Sequence, residues 1–513
     1  MDLLRRARVL RRARRHVLFG IVLLAATALR AVAVLGYPGA LWFPDSNSYL
    51  GVAVRPVAYP ARPQAYAFFL RALEPAHSFV VVVIVQHVLV LIAAFAIYAL
   101  LRRRFRVPRW AATLATVPLL FDGYQIQLEH QVLSDTLFEV LTIAAVVLVL
   151  WKPRPGWVLC GVAGLVLAVA VLTRSVGLPL LAVFAVFLLI RRVGWRAAGV
   201  GALACAVPLA GYAIWFHATW GVYGFSNSSG IFLFGRTAAF ADCTKVRPPE
   251  NEAFLCPEGP VALRGASPNY IWHNTPRLSR LPNWRKFTPE MNTLTGDFAR
   301  RAILAQPGDY LNVVDRDFGR TFQWQREPYP TAFAVRAYEF PEFVKPRGTG
   351  VSVPGATVVA DAYAYGGTDG GTPVVEPYAG FMRAYQHDAA LPGTLFGMLM
   401  AAGLAGMLLL WRRLGGAALL PWGIALALVA VPPMTASFDY RYVLPAAPLV
   451  CLALAISTTE ALRHPPRRRG RPSAAIPPQA RKPASTDTAE PAPAPAPRTT
   501  DAPAEEPAER LGR

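Results

Sequence analysis

The sequence predicts an all-α polytopic membrane protein with about ten transmembrane helices and a small extracytoplasmic domain inserted between helices 7 and 8. Hydrophobic residues make up 54% of the 513 residues, and the mean hydropathy is +0.34. Only 16% of the residues are charged, compared with about 25% in a typical soluble protein. The apolar residues form long runs, and basic residues cluster in short segments beside those runs. Lipid is therefore the expected solvent for most of the chain.

Ten apolar segments are candidate transmembrane helices. The first seven cover 16–37, 79–101, 110–121, 134–151, 156–173, 176–190 and 197–216. The last three cover 391–411, 416–434 and 442–460. Pro118 and the polar stretch 122–130 obscure the end of the third span.

These spans divide the chain into five parts. They are a basic N-terminus (1–15), the first seven spans with the loop 38–78 (16–216), the inserted domain (217–390), the last three spans (391–460) and a tail (461–513). The tail is rich in Pro and Ala, so it cannot bury a core and we expect it to be disordered.

The distribution of basic residues predicts the orientation of the spans. If the N-terminus is inside and the spans alternate, the inside segments are 102–109, 152–155, 191–196, 412–415 and the tail, and each is basic. The segments on the other side carry no dense basic cluster. Since positive charge marks cytoplasmic loops, we expect a multi-pass protein of the cell membrane with both termini in the cytoplasm.

The net charge of +21 also raises the question of nucleic-acid binding. The excess charge lies in the N-terminus, the short loops and the tail, whereas the hydrophilic middle is nearly balanced. A nucleic-acid site needs a basic patch on a folded surface. We therefore expect no nucleic-acid partner.

The inserted segment 217–390 has recognisable local patterns. Helical periodicity runs through 297–325, interrupted at Pro307, and the Gly-, Val- and Thr-rich stretch 348–376 is typical of a loop with short strands. Cys243 and Cys256 lie close together in it. If the segment is extracytoplasmic, a disulfide between them is expected; two free thiols are the alternative.

Polar and ionisable residues collect at the predicted outer ends of the spans, where they are candidates for function. In the first loop they are Asp45 in Phe43-Pro44-Asp45-Ser46-Asn47-Ser48-Tyr49, then Arg55, Tyr59, Arg62 and Tyr66. Further along the chain they are Asp122, Glu129, His130, Asp135, Arg174, Asp439 and Arg441. Arginines can bind an anionic headgroup and a carboxylate can act as a base toward an acceptor.

These motifs resemble those of the GT-C membrane glycosyltransferases. The matching features are Pro-Asp-Ser-x-Ser-Tyr at Asp45, Arg-Pro-x-x-Tyr at Arg62, the acidic stretch 129–135, Leu172-Thr173-Arg174 and Asp439-Tyr440-Arg441-Tyr442-x-x-Pro445. The resemblance covers roughly 16–216 and 391–460. It is closest to the branch that uses polyprenyl-phosphate sugars, which includes protein O-mannosyltransferases and the aminoarabinose transferases of lipid A.

The resemblance implies an inverting transfer of a sugar from a polyprenyl-phosphate donor to a glycan, lipid or protein acceptor. Membrane lipids surround the protein and are also expected partners. Asp45 would be the general base. The cations that stabilise the leaving phosphate would be Arg62, Arg174 and Arg441. Arg55 and His130 are further candidates for this role. Glu129 or Asp135 would orient the acceptor or those arginines, and Tyr59, Tyr66 and Asp439 complete the substrate-binding set. No cofactor and no divalent metal are expected.

One departure from the family pattern concerns the acceptor. Protein O-mannosyltransferases carry an Asp-Glu pair in the first outer loop, whereas Ser46 follows Asp45 here. The sequence therefore does not indicate a protein acceptor or mannose.

Several candidate residues also have a simpler interpretation. Asp45 could cap a helix, Arg174 could pair with Asp135 or a lipid phosphate, and Arg62 could extend to headgroups. Arg441 and Asp439 could form an exposed pair of little energetic weight. The alternative functions are a lipid or solute transporter or flippase, and a non-catalytic assembly or adhesion protein. Convergence of Asp45, an acid from 122–135 and two arginines on one outward-facing cavity would favour the transferase.

Overall fold

The structure, a computed structural model, describes residues 16–463. The predictions for the basic N-terminus and for the tail beyond residue 463 lie outside the described residues. Between residues 16 and 463 the secondary structure consists of α-helices and short 3-10 helices, with an isolated parallel bridge between Leu41 and Gln131. The prediction of an all-α chain is confirmed for this range.

The first half of the chain contains the helices α1 to α11. They are α1 (Val17–Gly36), α2 (Ser46–Val54), α3 (Ala65–Leu73), α4 (Phe79–Arg103), α5 (Arg109–Leu114), α6 (Val117–Phe121), α7 (Gly123–Glu129), α8 (Ser134–Leu150), α9 (Trp157–Thr173), α10 (Leu178–Ile190) and α11 (Trp195–Trp220). Short 3-10 helices cover Glu74–Ala76 and Ser175–Gly177.

The segment between α11 and the last spans contains short helices. They are α12 (Ser229–Ala238), α13 (Cys243–Val246), α14 (Ser267–Trp272), α15 (Pro276–Ser279), α16 (Asn283–Lys286), α17 (Pro289–Ala305), α18 (Pro307–Arg320), α19 (Ala332–Arg336), α20 (Val358–Gly366) and α21 (Tyr378–Asp388). Then follow α22 (Gly393–Leu409), α23 (Trp411–Leu414), α24 (Leu419–Thr435) and α25 (Ala447–Arg463). Further 3-10 helices cover Glu250–Leu255, Val261–Leu263, Tyr440–Tyr442 and Leu444–Ala446.

Four segments are long and apolar enough to cross a membrane: α1, α4, α11 and Tyr440–Ala461. A fifth is added if α21 and α22, which are bent by 55° relative to each other, count as one broken span. Shorter apolar helices cover Trp157–Thr173, Ser175–Ile190 and Leu419–Thr435, and the third predicted span is divided between α5 and α6. Helices thus occupy all ten predicted segments, but length and composition support four or five crossings, and the count of ten stays a prediction.

Close glycine contacts set the distance between α9 and α11. A Cβ atom on Gly164 of α9 would lie 2.1 Å from the carbonyl oxygen of Gly201 on α11. Two helices approach this closely only where small residues leave the backbones uncovered. This contact sets the spacing of α9 and α11 near Gly164, and Arg174 follows the C-terminal end of α9.

The segment 217–390 packs onto the loop 38–78. Trp220 Nε1 donates to the Ala58 carbonyl at 2.7 Å, the Asn227 amide donates to the Pro60 carbonyl at 2.7 Å, and the Tyr365 hydroxyl donates to the Leu70 carbonyl at 2.8 Å. The segment has its own apolar core around Phe234 and Phe298. These contacts place the segment at the same end of the helical bundle as the loop.

A disulfide joins Cys243 and Cys256, whose Cα atoms are 6.0 Å apart. Both cysteines border the apolar core around Phe234, so the bond closes the loop that begins with α13. Helix α20 lies within 348–376, where the sequence indicated a loop with short strands. That local prediction is wrong for 358–366, since Thr357 caps a regular helix there.

We expect Gly164→Leu to destabilise the protein by about 1–3 kcal/mol, because the new side chain has no space against the α11 backbone. The measurement is thermal unfolding of the purified protein in detergent. Gly199→Leu is the matched control, since a Cβ atom added to Gly199 on α11 would meet no other atom within 4 Å. Equal unfolding temperatures for the two variants would contradict the assigned contact.

Candidate active site

Asp45 lies immediately before α2 and does not cap that helix. Its carboxylate makes no side-chain hydrogen bond to the α2 backbone, although this position favours capping by Asp. The Ser48 hydroxyl instead donates to the Asp45 carbonyl at 2.8 Å. The Asp45 side chain is 23% exposed and forms ion pairs with Arg62 and Arg441. The capping interpretation therefore does not apply.

Arg62 is the first ion-pair partner of Asp45. Its Nη2 lies 2.9 Å from Asp45 Oδ1, and its guanidinium lies over the Tyr49 ring at 5.3 Å from the ring centre. Gln64 Nε2 donates to the Arg62 carbonyl, which holds the backbone in the turn before α3. Arg62 is thus held inside the protein, rather than extended to lipid headgroups.

Asp135 and Arg174 join the ends of α8 and α9. Asp135 lies in the first turn of α8, where a helix favours negative charge. Arg174 follows the last residue of α9 and forms an ion pair with Asp135. The guanidinium of Arg174 also faces the Tyr442 ring at 5.2 Å. Arg174 thus pairs with Asp135, and Arg441 connects this pair to Asp45.

Arg441 is the central cation. Its Nη1 lies 3.4 Å from Asp45 Oδ2 and 3.9 Å from Asp135 Oδ2, and its Nε lies 3.3 Å from Asp439 Oδ2. Asp439 caps the turn that carries Arg441, and the Tyr338 hydroxyl donates to Asp439 at 2.9 Å. The Arg441 side chain is 12% exposed. Its pair with Asp439 is therefore not an exposed surface pair.

We call the group of Asp45, Asp135, Asp439, Arg62, Arg174 and Arg441 the Asp45 cluster. It contains three carboxylates and three guanidiniums, so its formal charges cancel. Burial alone would raise the pKa of Asp45, but the guanidiniums of Arg62 and Arg441 outweigh burial and hold that pKa below its ordinary value. Asp45 is therefore a carboxylate at neutral pH and can accept a proton from a hydroxyl group.

Glu129 and His130 belong to a second, fully buried network. Arg30 of α1 donates to Glu129 through Nε at 2.7 Å and Nη2 at 2.6 Å, and His87 Nδ1 lies 2.7 Å from Glu129 Oε2. His87 Nε2 lies 3.3 Å from His130 Nδ1, and His130 Nε2 donates to the Tyr37 carbonyl at 2.8 Å. The network joins α1, α4 and α7, and no ion pair within 16–463 connects it to the Asp45 cluster.

Three further predicted residues lie outside the Asp45 cluster. Arg55 forms an ion pair with Asp361 of α20, so it fastens the first loop to the segment 217–390. Tyr66 is fully buried and donates through its hydroxyl to Gln86 Oε1 at 2.8 Å. Tyr59 is 2% exposed and packs in the same apolar core as Tyr66. We assign these three side chains to the support of the loop.

A cavity of about 460 Å³ opens beside the Asp45 cluster. Phe43, Pro44 and Asn47 form one wall, and residues between 333 and 350 form the other. None of the six cluster residues lines the cavity. The two are connected through Phe43, because the Arg441 guanidinium lies 5.0 Å from the centre of that ring. Within 16–463 no three His, Cys, Asp or Glu side chains are arranged to hold a metal ion. A reaction without a metal stays a prediction.

Several residues of these sites are not among the residues predicted from the sequence. Arg30 and His87 each interrupt an apolar helix, and an ionisable residue in such a helix was the signal that could have identified them. Tyr338 and Arg347 come from the segment 217–390, where no motif marks them. Only the fold shows that Tyr338 stacks on Phe43 and that Arg347 donates to Asn47, both in the first loop.

We expect Glu129→Gln to lower the stability of the protein by about 3–5 kcal/mol, since Arg30 would keep its charge without its buried partner. Glu258→Gln, at an exposed position, should leave stability unchanged. Thermal unfolding in detergent measures both. An unchanged unfolding temperature for Glu129→Gln would mean that the Arg30–Glu129 pair does not stabilise the fold.

Comparisons with known proteins give a distant similarity. No family model matches the chain, and no curated protein matches it. Among solved structures, it is similar to the crystal structure of the Archaeoglobus fulgidus oligosaccharyltransferase in the apo form, with a TM-score of 0.41 and 13% sequence identity. The alignment covers 87% of this chain and 51% of that one, so the chain spans about half the length of the archaeal protein.

Proposed function

We propose that this chain is a membrane glycosyltransferase of the GT-C type that uses a polyprenyl-phosphate sugar. It would transfer the sugar, with inversion, to an acceptor hydroxyl on the outer side of the membrane, with Asp45 as the general base. The observation that carries this proposal is the Asp45 cluster, in which one partly exposed carboxylate contacts two arginines, Arg62 of the first loop and Arg441 of the turn before α25. Base and cations thus stand side by side, as the reaction requires.

The reaction assigns a role to each part of the cluster. The acceptor oxygen attacks the anomeric carbon, its proton passes to an Asp45 carboxylate oxygen, and the bond from the anomeric carbon to the phosphate oxygen breaks. The electron pair leaves with the phosphate, which gains a negative charge. Arg441 and Arg62, which contact Asp45, are the cations available to stabilise that charge.

The positions of the arginines suit an exchange of partners. Arg441 stands 3.3–3.9 Å from three different carboxylates, so it holds none of them in a short bidentate pair. A phosphate can replace one of these carboxylates at little cost in lost hydrogen bonds. Arg174 and Asp135 are paired directly, and we assign that pair to orienting Arg441.

Sidedness gives further support. The cluster joins residues that follow α1, begin α8, follow α9 and precede α25, and alternating spans bring these four positions to the same side. The segment 217–390 packs on the same end and carries the Cys243–Cys256 disulfide, which favours an oxidising, extracytoplasmic compartment. In this topology both termini are cytoplasmic.

A transporter or flippase is the alternative reading of the apolar helices. Such proteins bind their substrate near the bilayer midplane, at broken helices. The Asp45 cluster instead lies where helices begin and end, and it includes loop residues such as Arg62. This position favours chemistry at the membrane surface.

We expect Asp45→Asn to reduce sugar transfer by about 10²- to 10⁴-fold, because the general base is lost. The assay follows labelled sugar from a panel of polyprenyl-phosphate donors to membrane acceptors. Asp315→Asn, which removes an exposed acid on α18, is the matched control and should transfer normally. Full transfer by folded Asp45→Asn would remove Asp45 from the mechanism, and uptake or flipping without transfer would favour the transporter.

We expect Arg62→Gln to move the acid limb of the kcat/KM profile upward by about one pH unit, since a neighbouring cation lowers a carboxyl pKa by that order. Asp45 acts as a carboxylate, so activity falls as the pH drops through its pKa. In the native chain that pKa lies below its ordinary value. Removing Arg62 raises it. Arg316→Gln, an exposed control on α18, should leave the limb in place, and an unmoved limb in Arg62→Gln would contradict the assigned base.

A further inference from the structure

The cavity beside the Asp45 cluster has an excess of positive charge. Its lining includes Arg336, Lys345 and Arg347 but only one acid, Glu339. No ion pair within the described residues involves any of these four side chains. Burial lowers the pKa of Arg347 to about 10, although the charge of the nearby Asp369 carboxylate acts in the opposite direction.

Arg347 is held in a fixed position. Its Nη2 donates to Asn47 Oδ1, and its guanidinium lies over the Trp42 ring at 3.8 Å from the ring centre. Its Nε is buried and has no hydrogen-bond partner. Arg347 therefore keeps one N–H donor and its positive charge for a ligand. Its partner Asn47 is two residues after Asp45 in the sequence.

Two buried amides add unpartnered acceptors to the same cavity. The side chains of Gln127 and Gln131 are each 1% exposed, and their Nε2 atoms donate to the Ala337 carbonyl. These bonds orient the amides, and the Oε1 atom of each is buried without a hydrogen-bond partner. A buried carbonyl oxygen without a donor destabilises the protein. A ligand with hydroxyl groups would supply the missing donors.

The cavity mouth also carries apolar faces. Phe333 and Phe343 line the cavity and are 64% and 70% exposed. Exposed aromatic rings of this size at the rim of a polar cavity mark a binding surface. Flat, partly apolar ring compounds such as sugars pack on aromatic faces while their hydroxyls reach the amides.

From these groups we infer that the cavity binds an acidic carbohydrate, which is the acceptor of the proposed transfer. The cations match a carboxylate or phosphate, the two amide oxygens match hydroxyls, and the aromatic rings match a sugar face. The inference rests on the proposed function and specifies its substrate class. The acceptor hydroxyl would approach Asp45 past Pro44, which lines the cavity.

The lining argues against the lipid-linked donor as the occupant. None of the lining residues lies in α1, α4, α11 or Tyr440–Ala461, the four segments able to cross a membrane. The lining residues come from the first loop, from α7 together with Gln131, which follows it closely, and from the segment 217–390. A prenyl chain needs contact with lipid, so the donor belongs at the helix ends.

The test is a binding measurement on the full chain in lipid nanodiscs, by calorimetry without any donor. The probes are a tetrasaccharide of alternating glucuronic acid and N-acetylglucosamine and the same tetrasaccharide with its carboxyls reduced. We expect the acidic probe to bind about tenfold more tightly, and its advantage to shrink at high salt. The double variant Arg336→Gln/Lys345→Gln should lose most of that advantage, whereas the exposed pair Arg285→Gln/Arg316→Gln should keep it.

Three results would overturn the inference: equal affinity for the two probes, no binding of either, or equal losses in the two double variants. Displacement of the acidic probe by a short-chain prenyl phosphate, with loss of binding in Arg336→Gln/Lys345→Gln, would assign the cavity to the donor instead. Asp315→Asn, at an exposed position on α18, should bind the acidic probe like the native chain. Transfer without a preference for acidic probes would refute this inference alone, and binding without transfer would refute the proposed function alone.

Discussion

The structure depends on the pairing of charges that have been taken out of water. A buried guanidinium or carboxylate without a partner costs several kcal/mol, so Arg441 can stand 12% exposed only beside its acids. Those acids come from the first loop, from α8 and from the turn before α25. The requirement for neutrality therefore draws distant parts of the chain together. The charge pairing on which the proposed chemistry relies also holds these parts of the bundle in place.

The two polar networks differ in accessibility, and this difference separates their roles. The Arg30 and Glu129 side chains are 3% and 0% exposed and share two hydrogen bonds, so no substrate reaches them without unfolding of the surrounding helices. Asp45 is 23% exposed, and its partners Arg62 and Arg441 contact it through single nitrogen atoms. The first arrangement is suited to stability and the second to exchange of partners. This is why Glu129, although acidic and close in sequence to Asp135, is a structural residue in our interpretation.

Hydropathy predicted where helices lie, because lipid selects long apolar runs and the runs are visible in the sequence. Asp45, Arg62, Arg174 and Arg441 could be predicted as candidates, because polar residues at the ends of apolar runs have few other reasons to be there. The number of membrane crossings could not be fixed, since helices such as α5 and α9 are short or broken. The partners of Arg55 and Asn47 could not be predicted either. Asp361 and Arg347 lie some 300 residues away in sequence, and only the packing of the segment 217–390 on the first loop brings them near.

The equal numbers of acids and arginines in the Asp45 cluster have a consequence for the proposed transfer. A donor phosphodiester carries one negative charge, and the departing phosphate carries two. When Asp45 takes the acceptor proton it becomes neutral, so Arg62 and Arg441 lose one anionic partner as the phosphate gains charge. The total charge of the site does not change. Once Asp45 is neutral, the positive charges of Arg62 and Arg441 are available to the leaving phosphate. A cluster with surplus arginines would hold the phosphate too tightly after transfer, whereas a cluster with surplus acids would repel the donor before it.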